Sequence, residues 1–418
     1  MATALIQVLG NATLLRLIVT FSDGLPMGVV ALEHAKDLAN TRDHEWLQSP
    51  RTADIGRAVR LVLQHRRLPL LQALFRLHQL EPPRYEQVHI VSFERAFADA
   101  IDCGDVAALT WLQETTSLPC PSNALEIAVR AGHADVVEWL GRHYPHLSVI
   151  TSPEMMDWAA GNGHLSVVQL LHDRGAYCSR AAMDNASADG HLAVLEWMHR
   201  HRREGCTSAA MDKAAANGHL KVVQWLHQYQ RASGCTHVAM DGAAAHGHLE
   251  VVQWLHQHRT EGCTPRAMDK AAGHGHLAVV EFLHHNRREG CTTAAMDNAC
   301  SNGHLDAVRF LHEHRTEGCT HQALVLAARK GHGHVVQFLV EHRVEGCLCD
   351  AVRAVDQRIQ ETERQTTSAV VFEHELPHLE IKKFLRSYCS VVVSACFEQL
   401  HKPRAKRRRC QRKRPSKT

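Results

Sequence analysis

The apolar positions of this chain recur as a block. In residues 263–284, Ala267, Met268, Ala271 and Ala272 fall at i, i+1, i+4 and i+5, one small-residue helical face suited to close packing. A turn at Gly275 and His276 follows, and then Val279, Val280, Phe282 and Leu283 mark a second helix with a buried face. Gly-His pairs begin at Gly132, Gly163, Gly190, Gly218, Gly247, Gly275, Gly303 and Gly331, and the last four intervals are 29, 28, 28 and 28 residues. Thr264 stands where an N-cap belongs, as do Ser179, Thr207, Thr236, Thr292 and Thr320 in other blocks. Each block predicts a helix, a short turn and a helix. One such pair leaves a face uncovered, so the blocks must stack into an all-α solenoid with a continuous core.

The blocks are clear over residues 120–346 and fainter on either side, giving an expected array over residues 54–390. Gly104, Asp105 and Val106 through Trp111 and Leu112 match a second helix, and residues 66–74 match one loosely. Pro377, His378, Leu379, Ile381, Phe384 and Leu385 repeat the pattern after an insertion at 359–376 rich in Gln, Glu and Thr, which is expected to be a surface loop. Residues 1–50 are apolar and read as a helical cap or adaptor module, and residues 391–418 as a C-terminal segment ending in a disordered tail.

The series from Ala214 and Ala215 to Leu226, repeated from Ala243 and Ala244 to Leu255 and from Ala271 and Ala272 to Leu283, has the form Ala-Ala-x-x-Gly-His-x-x-Val-Val-x-x-Leu. This pattern resembles the ankyrin repeat family over about four fifths of the chain. Two departures stand out. Ala-Met-Asp replaces the family's Thr-Pro-Leu-His opening, and the unit is about five residues shorter, between the second helix and the next first helix. The resemblance places a projecting β-hairpin finger there, so the finger is expected to be absent or reduced to a tight turn such as Glu261, Gly262 and Cys263. It implies a recognition scaffold that binds a protein partner and has no chemistry of its own, hence no enzyme and no cofactor.

Residue counts at first point elsewhere: there are 34 His and 14 Cys. Most of the histidines sit at the Gly-His turn or at the end of helix two (His172, His199, His227, His256, His284, His312), one per block, whereas a metal gathers three or four ligands about one point. His374, Glu375 and His378 have the spacing of a zinc-protease helix, but Pro377 between them would disrupt that helix. Cys120, Cys178, Cys206, Cys235, Cys263, Cys291, Cys319 and Cys347 share one block position, too far apart between stacked helices to bridge, and read as buried thiols of a reducing compartment. Glu126, Asp157, Asp184, Asp212, Asp241, Asp269 and Asp297 read as acceptors for backbone in the adjoining turn, and Trp111, Trp139, Trp197, Trp225, Trp254, Phe282, Phe310 and Phe338 as core. No phosphate loop, nucleophile elbow or kinase signature occurs.

What varies from block to block on exposed helix one is where a partner would read this protein. Lys213, Gly242, Lys270 and Asn298 follow the repeated Asp, and Asn217, His246, His274 and Asn302 precede the Gly-His turn; in ankyrin arrays such positions face the concave side, so these residues are the candidate partner-binding set. An alternative reading makes the protein a substrate-recognition adaptor for ubiquitination through residues 1–50. Charge adds a last feature. Residues 402–418 hold ten Lys or Arg and no acid, leaving 37 basic against 44 acidic groups elsewhere, a net of −7. Lys406, Arg407, Arg408 and Arg409, with Arg412, Lys413 and Arg414, resemble a nuclear import signal, so an import receptor is an expected partner and nucleus and cytoplasm the expected locations. The same tail could contact nucleic acid non-specifically. No stretch is apolar for the roughly 20 residues of a membrane span, and Met1 to Gln7 has no charged side chain, so a signal peptide is not expected.

Overall fold

A computed structural model describes residues 60–392 apart from 61, 70, 73–74, 76–94, 117, 146–151, 231–233 and 366–370, and without the side chains of 362–365, 371–376 and 389–392. The expected module at 1–50 and the basic tail at 402–418 lie outside the described residues; among the described residues no strand occurs. The chain divides into two units, Met1–Ala159 with His164–Tyr177, and Ala160–Gly163 with Cys178–Thr418.

In the first unit, α1 (Ala96–Asp102) pairs with α2 (Val106–Thr115), α3 (Ala124–Ala131) with α4 (Ala134–His143), and most of α5 (Glu154–Gly161) is followed by α6 (Leu165–Asp173). First helices pack on first helices, α1 on α3, and second on second, α2 on α4 and α4 on α6. The second unit continues the alternation with α7 (Arg180–Ala188), α8 (Leu192–His201), α9 (Ser208–Ala216), α10 (Leu220–Tyr229), α11 (His237–Ala245) and α12 (Leu249–His258). It ends with α13 (Pro265–Gly273), α14 (Leu277–Asn286), α15 (Thr293–Asn302), α16 (Leu305–His314), α17 (Gln322–Arg329), α18 (Gly333–His342), α19 (Leu348–Gln365) and α20 (Val371–Val392).

The expected block accounts for these elements. In α13, Ala267, Ala271 and Ala272 are fully buried and Met268 nearly so; in α14 the buried residues are Val279, Val280 and Leu283. Burial of each larger side chain contributes roughly 1.5–3 kcal/mol. The aromatic column differs from expectation: Trp139 and Trp225 are buried, but Trp197, Trp254, Phe282, Phe310 and Phe338 are half-exposed. Their rings meet histidines of the preceding second helix or of their own, and stay partly exposed. His284, for example, meets Phe310 edge-on at 5.5 Å, and Phe310 stacks on His314 at 4.4 Å.

Where the residues between a second helix and the next first helix are all described, as between α12 and α13, there is a tight turn rather than a finger. In it Gly262 has φ +73°, a left-handed conformation that suits glycine. The expected loop at 359–376 is a correction: α19 runs to Gln365 and α20 begins at Val371, so most of the insertion prolongs two helices. Its Gln- and Glu-rich composition is good helix-forming material, which the surface-loop reading undervalued. Pro377 lies inside α20, and His378 directly after it takes the place of a turn histidine against Gly331.

Candidate partner-binding face

The face is held in place by three bonded columns. In the first, the carboxylate of five successive first helices, α7, α9, α11, α13 and α15, grips the cap of the next. Asp269 accepts the Thr292 N–H and its hydroxyl, both at 2.7 Å, while the Thr292 hydroxyl oxygen accepts the Ala294 N–H at 3.1 Å. Asp184, Asp212, Asp241 and Asp297 hold Thr207, Thr236, Thr264 and Thr320 in the same way. The acceptor role foreseen for the acids is present here, with the partner now identified as the following unit's cap. Glu126 differs, pairing with Arg130 in its own helix.

In the second column, each turn histidine covers the preceding glycine. Gly275 has φ +79°, and a Cβ there would lie 2.5 Å from His304 Nδ1, so the ring occupies the space that only glycine leaves open. His332 Nε2–H donates to Ser301 O at 3.1 Å, and His378 Nε2–H to Arg329 O at 3.0 Å. His378 is therefore engaged as a repeat histidine, and among the described residues no group of three His, Cys, Asp or Glu is arranged to hold a metal ion. Burial, together with neighbouring histidines, holds the His248, His276 and His304 pKa values below the usual imidazole range; His332 is lowered chiefly by burial.

The third column was missed in the sequence, although the recurring string Arg-x-Glu-Gly-Cys carries it. Arg287 pairs with Glu289 and covers Gly262, while Arg343 pairs with Glu345 at 2.6 Å. Burial raises the Glu289 carboxyl, but the bond from Arg287 and backbone donors outweigh it, leaving its pKa at about 2. Arg287 also touches Cys263, whose thiol burial pushes up to about 12. The cysteine column is only partly the expected set of buried thiols: Cys178, Cys206 and Cys319 are buried, whereas Cys120, Cys235, Cys263, Cys291 and Cys347 are half-buried.

Against this frame, three positions of each first helix one turn apart, i, i+4 and i+8, form an outward row: Arg266, Lys270 and His274 on α13 are all exposed. Lys213 and Lys270 stand at the same place in units two apart, make no ion pair among the described residues, and are free to meet a partner. Other members of the expected set bind their neighbours. Asn217 Nδ2–H donates to Ala188 O at 2.7 Å, and Asn302 Nδ2–H to Gly273 O at 2.6 Å. His274 Nδ1 lies 2.6 Å from Ala245 O, a bond in which the ring nitrogen is the donor. His246 Nδ1 is 3.1 Å from Gly242 O within α11. Gly242 itself packs on Ala216, where a Cβ would come within 2.7 Å of the Ala216 Cβ, and Asn298 sits likewise against Gly273. Arg266 and Lys330 are exposed on the same rows and were missed; their phase, four residues before Lys270 and one before Gly331, was the available signal.

Models of ankyrin repeats match residues 267–350 (three copies) and 240–284 (many copies). None of the curated proteins matches the chain. Among solved structures, the crystal structure of the pentatricopeptide repeat protein PPR10 from maize aligns with 90% of this chain at 12% identity and a TM-score of 0.35, and the chain spans 63% of that protein's length.

Proposed function

Since residues 240–350 are ankyrin repeats, a protein–protein interaction module, we propose that this protein is a non-enzymatic scaffold whose partner binds the exposed helix-one rows. One observation carries the reading. The columns behind the rows repeat nearly unchanged, Ala-Met-Asp, Gly-His and Val-Val-x-x-Leu, while the outward positions change from unit to unit: Lys213, Gly242, Lys270 and Asn298 at one level, Asn217, His246, His274 and Asn302 at the next. An exposed row that varies over a nearly constant frame is what selective recognition of a partner requires. A photo-crosslinking amino acid at Asn185 or Asn298 is expected to capture a protein in the native cell, while one at Gln224 or Gln257 on the second helices is not. Equal capture from both sets removes the helix-one assignment. For the basic tail, nuclear import is the proposal: a fluorescent fusion of the whole chain is expected in the nucleus and one ending at residue 401 is not. Nuclear accumulation of the shortened fusion rejects it.

A further inference from the structure

The two outward faces of the second unit carry opposite charge. On the helix-one rows stand Lys213, Arg266, Lys270 and Lys330, with His246 and His274 between them, and the one carboxylate at these positions is Asp189. On the equivalent rows of the second helices stand Glu250, Glu281, Asp306, Glu313 and Glu341, with Glu196 tied to Arg200; the other cations there are Lys221 and Arg309. The sequence outside the tail is acidic, yet the helix-one face is a basic strip on it.

Distance decides which charge a ligand on this face meets. A helix is about 10 Å thick, comparable to the Debye length of about 8 Å at physiological salt, so the carboxylates on the second helices are largely screened from the opposite side. The cations are thinly spread. Lys213, Lys270 and Lys330 belong to alternate units, so at roughly 10 Å per stacked helix they recur about every 20 Å. A nucleic acid strand presents a phosphate about every 3.4 Å and gains from aromatic stacking, and these rows have neither the cation density nor a Trp, Tyr or Phe. An extended polypeptide advances about 3.3 Å per residue, so carboxylates some six residues apart would meet successive lysines. Between them the amide of Asn298 offers hydrogen bonds to a backbone.

We propose, resting on the helix-one reading above, that the occupant of this face is an extended acidic segment of another protein, of roughly 12 residues between Lys213 and Lys330. Arg266, Lys270 and His274, all on α13, form its densest contact.

The test uses the full chain and a fluorescent peptide of roughly 15 residues with glutamate at every third position, beside a counterpart with glutamine. The glutamate peptide is expected to bind, and the glutamine peptide to bind at least tenfold more weakly. Lys213→Glu with Lys270→Glu is expected to weaken the glutamate peptide about tenfold, and Glu250→Lys with Glu281→Lys less than twofold. Any contribution of the basic tail is the same in all these proteins, so the differences report the face. Should the reversed pair lose its helical circular dichroism, Lys213→Gln with Lys270→Gln provides the reading, with a smaller loss in the same direction. Unchanged affinity in the lysine variants, equal losses in both pairs, or tighter binding of a single-stranded oligonucleotide lost with the same lysines overturns the proposal. If crosslinks from Asn298 persist while the lysine variants change nothing, only the acidic chemistry fails; if those crosslinks vanish to the level of Gln257, the helix-one reading fails as well.

Discussion

Replacing Thr292 with Ala tests the bond between units most directly. The hydroxyl caps α15 through Ala294 and donates to Asp269, a carboxylate only 7% exposed. Loss of a cap costs about 1 kcal/mol, and loss of a hydrogen bond to a charged group about 1.5–3 kcal/mol, so about 3 kcal/mol is expected. Asp269→Ala removes both bonds to the carboxylate and leaves the Thr292 N–H without its acceptor, again about 3 kcal/mol. Because the substitutions break the same bond, the double variant is expected to cost about 4 kcal/mol rather than about 6, a coupling of about 2 kcal/mol. A long array can unfold in parts, so amide hydrogen exchange is the appropriate assay. Exchange of the Thr292 amide and of α15 is expected to speed up about 100-fold in each single variant, with distant units much less affected. Additive losses in the double variant, with coupling below about 0.5 kcal/mol, would refute the clamp between α13 and the cap of α15.

Glycine substitutions separate backbone strain from crowding: Gly275→Ala meets both a φ of +79° and the His304 ring, whereas Gly175→Ala has φ +75° and open space. The second is expected to cost about 1–2 kcal/mol and the first at least twice that, read from urea midpoints; equal losses would show that the histidine ring yields. The depressed histidines make folding pH-dependent: burial lowers His248, His276, His284, His304, His312 and His332 below the unfolded value, so the unfolded chain binds more protons near pH 6. Stability is therefore expected to be full above about pH 7 and to fall as pH drops through 6.5 toward 5, and a midpoint that rises on acidification contradicts this. Thiol reactivity should differ within one column. The Cys347 thiol, hydrogen-bonded to Cys349 and to backbone N–H groups at the start of α19, is held below the usual thiol range, whereas burial pushes Cys263 up to about 12. At pH 7 iodoacetamide is expected to modify Cys347 at least tenfold faster than Cys263, followed by mass spectrometry, and similar rates would exclude a stabilised thiolate. Arg287→Ala is expected to destabilise the array, whereas Arg288→Ala is expected to be near neutral by thermal unfolding.

Local chemistry repeated many times was legible without coordinates. Thr264 before Pro265, the small face of Ala267, Ala271 and Ala272, and the turn at Gly275 each act within a few residues, and their recurrence every 28 residues fixed the helix pair, its caps and the absence of room for a finger. Periodicity also exposed the columns of Asp, His and Cys, but a column records only that a position recurs. Which neighbour it touches depends on how one pair is translated and rotated onto the next, and packing alone sets that. Thus Asp269 reaches Thr292, 23 residues ahead, His332 reaches Ser301, 31 residues behind, and Arg287 closes over Gly262. The same cause divides the expected binding set: Lys213 and Lys270 remain exposed and unpaired, while Asn217, His274 and Asn302 are drawn into bonds with carbonyls of the preceding unit, whose positions exist only once the helices are stacked.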